Sequence, residues 1–431
     1  MPLYQKIVLC FTLLFISHTA SAELLTLKQA ESLALQHNPA LAATKQQAEA
    51  MATMPAQAAS LADPKLSFKA LNLPVDSFST TQENMTQLQL GLSQALPFPG
   101  KLGLKSDIAE HMARAAQHSS QEFRLLLLRN TRIHWWNLAY LDQALSIVRS
   151  NQQLLRRLVR IAETKYKTGK GLQQDVLLAQ LELSKLLEKE LHLQGIRKRE
   201  AARLYALIGS PTGITMTLPK LEPKYISKQN IDVVMLKNEV RHTRPMLLAM
   251  DEKVQASAAR IALADKGYYP DFNLGAAYGF RQGVNPANKQ SRPDFTSVML
   301  TMSLPIYTDH KQDKRVAQRK AEKARAQFSW QDAVDQVEAD IDAAASDLRI
   351  ARSQVALFEQ GILPQARQTT ASMLAGYQVN KVDFLNLVRA QLSEFNTDMR
   401  YWKQISLVHQ AEARLAAAAG KDNLYKDDNH E

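Results

Sequence analysis

The sequence predicts a mostly helical fold with a small β part, written as two similar halves. The chain of 431 residues has few glycines (15), few prolines (16) and 7% aromatic residues, which favours long helices over a mostly β globule. Two segments of roughly sixty residues have the apolar periodicity of long helices. Shorter segments of about ten residues alternate apolar and polar side chains, as β-strands with two different faces do.

Residues 1–22 have the features of a secretory signal peptide. Lys6 precedes an apolar run over residues 7–16, and Ala20 and Ala22 fit a small-residue cleavage pattern. Cleavage after Ala22 would remove Cys10, the one cysteine of the chain. An exported chain without a disulfide depends on packing or oligomerisation for its stability.

The chain is basic, with 53 Lys and Arg against 42 Asp and Glu. For an exported protein this surplus does not indicate nucleic-acid binding, so we expect no nucleic-acid partner. No apolar run of about 18 residues follows residue 22, which argues against a helical membrane span.

Motifs recur in the same order at a spacing of about 210 residues, as expected for an internal duplication. The recurring segments are Asn38-Pro39 with Arg244-Pro245, Leu96-Pro97 with Leu304-Pro305, and 166–169 with 377–380. We therefore predict a first repeat over residues 23–225, a second repeat over residues 226–421 and a polar tail over residues 422–431.

Each half contains a predicted strand pair, at about 63–97 and about 270–305. Leu88, Leu90 and Leu92 alternate with polar or small residues, and the second half has the same alternation around Leu274 and Leu300. Strands of this length match the tilted strands of membrane barrels, although a sheet on a soluble core has the same pattern.

Long helices are predicted at about 105–166 and 172–208 in the first repeat, and at about 312–377 and 383–419 in the second. Apolar residues follow heptad spacing in the third of these, at Val334, Val337, Ile341, Ala344, Leu348, Ala351, Val355, Phe358 and Ile362. A helix of sixty residues would be about 90 Å long. Such a helix forms either a free coiled coil or part of a larger wall.

Four strands cannot close a barrel, and lipid does not tolerate open sheet edges. If the strands span an outer membrane, several copies must share them, and three copies would supply a 12-stranded barrel with an aqueous lumen. The sequence therefore favours a symmetric oligomer with a pooled barrel and a long helical tube.

The ordered motifs resemble the TolC-type outer-membrane efflux protein family. The resemblance is carried by the early Asn38-Pro39 helix, the string Leu-Pro-Phe-Pro-Gly-Lys at 96–101, Tyr166-x-x-Gly169 and the segment 363–366, and it covers essentially the whole mature chain. It implies a homotrimer in the outer membrane of a Gram-negative bacterium, with a 12-stranded β-barrel and a periplasmic tunnel of antiparallel helices. It also implies a passive exit duct that works with a periplasmic adaptor (membrane fusion protein) and an inner-membrane pump.

The string at 97–101 resembles relatives that serve heavy-metal pumps of the resistance-nodulation-division type, so we expect a metal-efflux role. Drug efflux and type I protein secretion remain alternatives, and a periplasmic coiled-coil adaptor is a further one. The duplicated strand pairs argue against an adaptor. We expect no enzyme activity, because no catalytic arrangement is visible, and we expect no cofactor and no bound metal.

The resemblance implies that the turns joining the long helices, at residues 167–172 and 378–384, close the periplasmic end of the tube. The gate candidates are Asp175, Asp383, Asn386, Arg389, Tyr166 and Tyr377. Asp175 is equally explained as an acidic residue that stabilises a helix N-terminus, and the tyrosines as packing residues. Asn386 and Arg389 stand where relatives often carry acids, which argues against a strong cation-binding ring.

Pro364 lies within a predicted long helix, and Gln153 takes the corresponding place in the first half. Proline removes a backbone hydrogen bond and kinks a helix. We therefore expect Pro364 to be either a hinge for an iris-like opening or the site of a static bend.

Overall fold

The computed structural model describes residues 24–210, 217–220 and 230–424. The predicted signal peptide and residues 425–431 of the predicted tail lie outside these ranges. The chain forms two compact units. The hairpin unit contains the described residues of 24–36, 134–220 and 361–406, and the sheet unit contains those of 37–133, 230–360 and 407–424.

The first half of the chain contains three short helices, two strands and two long helices. They are α1 Leu27–His37, α2 Pro39–Ala52, α3 Met54–Ala59, β1 Lys65–Leu71, β2 Gln87–Leu96, α4 Lys101–Lys167 and α5 Gln173–Leu207. Asn38 caps α2, because its side-chain oxygen accepts the Leu41 amide at 2.9 Å and Pro39 occupies the first helical position. Proline is favoured there because that amide has no partner within the helix.

The second half has the same element types, with one interruption. Its elements are α6 Val233–Thr243, α7 Pro245–Asp265, a 3₁₀ turn Lys266–Tyr268, β3 Phe272–Phe280, β4 Phe295–Met302, α8 Gln312–Leu357, a π-helical segment Phe358–Ile362, α9 Leu363–Gln378 and α10 Phe384–Ala418. The single helix expected at 312–377 is therefore divided. Pro364 has no amide hydrogen to offer the carbonyl of Gln360, and the hydrogen-bond ladder widens into a π segment just before it.

The four strands form one antiparallel sheet in the order β1-β2-β3-β4. Its register places Phe68 opposite Leu90, Leu90 opposite Tyr278, and Leu274 opposite Leu300. These apolar residues share one face, since side chains alternate between the faces of a sheet. The other face carries mostly polar and small residues, among them Ser67, Gln89, Gly91, Ser93, Asn273, Gly275, Ser297 and Thr301, together with the apolar Leu71, Phe295 and Met299.

The apolar face of the sheet is open to the surroundings. Leu66, Phe68, Val298 and Leu300 are between 66% and 75% exposed. A soluble sheet normally buries its apolar face against a core. In this sheet, the apolar face is not covered by any of the residues that the structure describes.

The sheet unit is packed along a seam of α8. The heptad residues from Val334 to Val355 are buried, and α8 packs against α6 and α7. Arg244, just before α7, is 8% exposed and pairs with Glu122 at 2.7 Å. No helix within the described ranges is both long enough and apolar enough to cross a bilayer.

The hairpin unit has its own apolar core. Residues of α4, α5, α9 and α10 meet in a cluster that includes Leu155, Leu158, Leu186, Tyr377, Phe384 and Leu387. This core holds the two helical hairpins together side by side, and the turns of both hairpins lie at the ends of these helices.

Candidate functional site: the ends of the two helical hairpins

The two hairpin turns have the same backbone geometry. Gly169 and Asn380 both adopt positive φ, at 69° and 59°, just after α4 and α9. Their amides bond the carbonyls three residues earlier at 3.0 and 3.2 Å, and the next amides, of Lys170 and Lys381, bond carbonyls five residues earlier at 2.8 Å. This is a helix C-cap that needs a left-handed residue, a position that glycine takes freely and asparagine tolerates.

Tyr377 is buried between the hairpins. It is 5% exposed, and its ring centroid lies 5.4 Å from that of Phe384 at the start of α10. Burial raises the pKa of the Tyr377 hydroxyl, and the nearby carboxylate of Asp175 raises it further. The phenol therefore stays protonated at neutral pH and keeps its hydrogen to donate.

Lys165, which the sequence analysis did not single out, links the first hairpin to the second. Its ammonium group lies 3.9 Å from the centroid of the Tyr377 ring. The same nitrogen donates to the Tyr377 carbonyl at 2.9 Å and to the side-chain oxygen of Asn380 at 2.8 Å. One side chain of α4 thus engages both the last turn of α9 and its cap. Gly376 takes the corresponding position in the second half, and no pattern in the sequence singles out Lys165.

Asp175 lies in the first turn of α5 and is partly buried. Its amide bonds the Leu172 carbonyl at 3.1 Å. An acidic side chain in this position is stabilised by the positive end of the helix dipole. Its carboxylate also lies near enough to Tyr377 to raise the pKa of that phenol.

Tyr166 differs from Tyr377 although both occupy the same place in the repeated motif. Tyr166 is 49% exposed, and within the described ranges it makes no ring contact. The structure thus brings Lys165 onto Tyr377 with Asp175 nearby, and it leaves Tyr166 half exposed.

Asp383 caps α10. Its carboxylate accepts the Asn386 amide at 2.7 Å and the Asn386 side-chain nitrogen at 3.0 Å. Arg389 lies almost two turns further along the same helix and is exposed, as Asp383 and Asn386 are. The carboxylate of Asp383 is therefore used to stabilise the start of α10 after the second turn.

The two hairpins meet at their ends through noncovalent contacts. The residues that meet are a buried aromatic ring, an ammonium group and two helix caps, and each of these interactions can break and reform without covalent chemistry. Such an arrangement can hold the two hairpins together or release them.

A family model described as outer membrane efflux protein matches residues 31–210 and 236–421 of the chain. Among solved structures, the chain is similar to the outer membrane protein VceC of Vibrio cholerae, at 19% identity over 92% of this chain and 96% of that chain, with a TM-score of 0.75. It is similar to the CmeC outer membrane channel of Campylobacter jejuni, at 15% identity over 93% and 87%, with a TM-score of 0.77.

The chain is also similar to the MtrE outer membrane channel of Neisseria gonorrhoeae in its open state, at 16% identity over 93% of this chain and 91% of that chain, with a TM-score of 0.72. At these identities the likeness shows the fold. No curated protein sequence matches the chain.

Proposed function

Because the chain belongs to the outer membrane efflux protein family, we propose that it is an exit duct of the outer membrane of a Gram-negative bacterium. In this role it conducts substrate passively from the periplasm to the outside. The observation that carries the proposal is the exposed apolar face of a sheet whose edges are open.

The sheet is suited to lipid on one face and to water on the other. Exposed Leu66, Phe68, Val298 and Leu300 would face the acyl chains, whereas Ser67, Gly91 and their neighbours would face an aqueous lumen. Within the described ranges, β1 and β4 each pair with one neighbouring strand. Lipid does not tolerate their unpaired amides and carbonyls, so identical copies must supply the missing partners. Three copies give a barrel of twelve strands.

The helices would form the periplasmic part of the duct. The family model matches the chain twice, which supports an internal duplication with two hairpins per copy. In a trimer, α4, α5, α8, α9 and α10 of each copy would line a common tunnel. The hairpin ends would form its gate, with the contact of Lys165 and Tyr377 holding the packed state and Asp175 beside it.

The duct would act with a periplasmic adaptor and an inner-membrane pump, and we propose a heavy-metal pump of the resistance-nodulation-division type. The support for this cargo is the string at 97–101. In the structure, Phe98 stacks on Tyr269 at 4.5 Å and Lys101 pairs with Asp271 at 2.8 Å. These contacts stabilise the junction between the sheet and α4, and they carry no information about the cargo. The proposal of metal efflux therefore rests on the sequence resemblance alone.

The duct is tested by purifying the full-length protein in mild detergent and measuring its mass and its conductance in planar lipid. We expect a trimer that conducts ions. A stable monomer without conductance would contradict the proposal.

The cargo is tested separately with a deletion strain. Greater sensitivity to copper, silver, zinc or cobalt, restored by the intact gene, is expected. If the deletion strain is sensitive to drugs alone, the cargo is a drug and not a metal, and the proposal of an exit duct still stands.

A further inference from the structure

The start of α8 carries a surplus of positive charge beside one end of the sheet. Residues 311–325 contain two acids and seven bases, and the bases are Lys311, Lys314, Arg315, Arg319, Lys320, Lys323 and Arg325. Both acids are engaged, since Glu322 pairs with Arg319 at 2.7 Å and Asp313 accepts the hydroxyl hydrogen of Tyr268. Lys311, Lys314 and Arg315 are exposed, and within the described ranges no carboxylate lies within ion-pair distance of them.

The loops at the opposite end of the sheet have no such surplus. They are residues 72–86 between β1 and β2 and residues 281–294 between β3 and β4, and together they contain three bases and three acids. Two of these bases are used within the loops, because Arg281 donates to the Asn84 carbonyl and Arg292 donates to the Glu83 carbonyl at 2.9 Å. The free positive charge therefore distinguishes one end of the sheet from the other.

The exposed bases do not stabilise α8 itself. Lys311 precedes the helix, and Lys314 and Arg315 lie in its first turn. The N-terminus of a helix is the positive end of its dipole, so basic side chains are unfavourable there. An anion that is not part of this helix would offset that cost.

Apolar and aromatic side chains lie between the strands and these bases. After the end of β4, Leu304, Ile306 and Tyr307 are 67%, 69% and 74% exposed. Tyr268 and Tyr269 precede β3 at the same end of the sheet and are also exposed. Tyrosine is enriched where the hydrocarbon of a membrane meets its headgroups. The order from the sheet to the helix is thus apolar, aromatic and basic.

Tyr307 and two of the bases share one side of the chain. The Lys311 amide donates to the Tyr307 carbonyl at 3.2 Å, and the Arg315 amide donates to the Lys311 carbonyl at 3.0 Å. Hydrogen bonds that span four residues place the three side chains next to each other at steps of one turn. An ammonium group and a guanidinium group therefore follow a tyrosine that lies at the edge of an apolar surface.

We propose that this basic patch, defined as Lys311, Lys314 and Arg315 with Tyr307, binds the phosphate groups of anionic phospholipids. The inference rests on the proposed function, in which the apolar face of the sheet meets lipid and the helices lie in the periplasm. The basic patch then lies at the headgroups of the periplasmic leaflet.

The chemistry of the basic patch favours a lipid over a free anion. A cluster of Lys and Arg directly beside a membrane-crossing segment is typical of sites for anionic headgroups. Inorganic phosphate would use the charges and would gain nothing from the exposed Leu304 and Ile306. The acyl chains of a lipid would cover these two side chains while its phosphate met the bases.

The test measures the lipid that the full-length protein retains in mild detergent, by native mass spectrometry, after addition of phosphatidylglycerol or phosphatidylethanolamine with the same acyl chains. We expect phosphatidylglycerol to half-saturate the protein at a roughly tenfold lower concentration, with an advantage that falls as salt is raised. The variant Lys311→Gln/Arg315→Gln should lose most of this preference. The charge-conserving variant Lys311→Arg/Arg315→Lys should keep it, which separates the loss of charge from a loss of folding.

A matched control removes two other bases of the sheet unit. Lys253 on α7 and Arg349 on α8 are exposed and, among the described residues, have no carboxylate within ion-pair distance. Arg349 lies about 50 Å beyond Arg315 along the helix axis, whereas screening weakens charges beyond about 10 Å. The variant Lys253→Gln/Arg349→Gln should keep the preference for phosphatidylglycerol within about threefold.

Four results would overturn the inference. They are equal retention of the two lipids, an equal loss in the matched control, displacement of phosphatidylglycerol by inorganic phosphate at the same concentration, and dissociation of the oligomer in Lys311→Gln/Arg315→Gln with its lipid preference unchanged. The last result would assign the bases to a contact between copies. Conductance in planar lipid separates this inference from the proposed function. A conducting protein without a preference for phosphatidylglycerol disproves the lipid site alone, whereas an intact protein that never conducts contradicts the duct.

Discussion

The ammonium group of Lys165 lies 3.9 Å from the ring centroid of Tyr377 and donates to the carbonyl of the same residue at 2.9 Å. One lysine of the first hairpin thus holds both the side chain and the backbone of the second. Tyr377 is also packed against Phe384 of its own hairpin. Separation of the two hairpins would therefore break the interactions of Lys165 with a ring that is fixed in place.

Replacement of this lysine should loosen the hairpins. Lys165→Met removes a cation–π contact and two charged hydrogen bonds, which together stabilise the packed state by about 1–3 kcal/mol. We expect faster amide hydrogen exchange in α9 and the following turn, and a larger conductance in planar lipid. Lys167→Met is the control, because Lys167 is exposed and has no ion pair within the described ranges. Equal exchange in both variants would show that Lys165 does not hold the hairpins.

Two glycines at helix ends should differ in their tolerance of alanine. Gly169 and Gly420 both have positive φ, at 69° and 71°. A Cβ on Gly169 would meet no atom within 4 Å, whereas a Cβ on Gly420 would lie 2.8 Å from the Cα of Arg244. Gly169→Ala should cost about 1 kcal/mol, the penalty of the left-handed conformation, and Gly420→Ala clearly more, because backbone must move. Thermal unfolding followed by circular dichroism in detergent checks the order, and equal losses would contradict it.

Removal of Pro364 should make the divided helix continuous. Pro364→Ala supplies the missing amide, so α8 and α9 can join through a regular ladder. If this interruption is a hinge, efflux should fall, and disulfide trapping between Val379→Cys residues of neighbouring copies should persist under conditions that open the duct. Pro245→Ala is the control, since that proline starts α7 and breaks no ladder. If the duct of the Pro364→Ala variant opens as before, the interruption at Pro364 is a static feature and not a hinge.

Introduction of a charge at two adjacent residues of β4 should destabilise the assembled protein to very different extents. Val298 lies on the apolar face and is 75% exposed, and Ser297 lies on the other face. Val298→Lys should cost about 2–4 kcal/mol if it meets lipid, whereas Ser297→Lys would face water and cost little. The amount of heat-resistant oligomer in outer-membrane fractions measures the difference. A greater loss from Ser297→Lys would reverse the assignment of the two faces.

Much of the fold follows from local patterns. Alternation around Leu90 and Leu274 predicts strands that the structure pairs in one sheet, and the heptads of α8 predict the seam that it buries. The resemblance to outer-membrane efflux proteins is confirmed at the level of the family. The π segment could not be predicted, because proline signals a break in the ladder without fixing how the backbone absorbs it.

The candidate site was less accessible to sequence reasoning. Tyr166 and Tyr377 stand in equivalent motifs, yet one is half exposed and the other is buried. Burial depends on the partners that tertiary packing supplies, and the local pattern is the same for both. The contact of Lys165 with Tyr377 joins residues more than two hundred positions apart, so no local periodicity encodes it.

The antiparallel order of the four strands has a consequence for the barrel proposed above. With an even strand count, β1 and β4 run in opposite directions. The last strand of one subunit can therefore sit beside the first strand of the next and continue the alternation of direction. Every seam in such a ring repeats the pairing found inside a subunit, whatever the number of subunits. With an odd number of strands, the first and last strands would run in the same direction, and each junction between subunits would be parallel. The even number therefore allows the same antiparallel pairing within and between subunits.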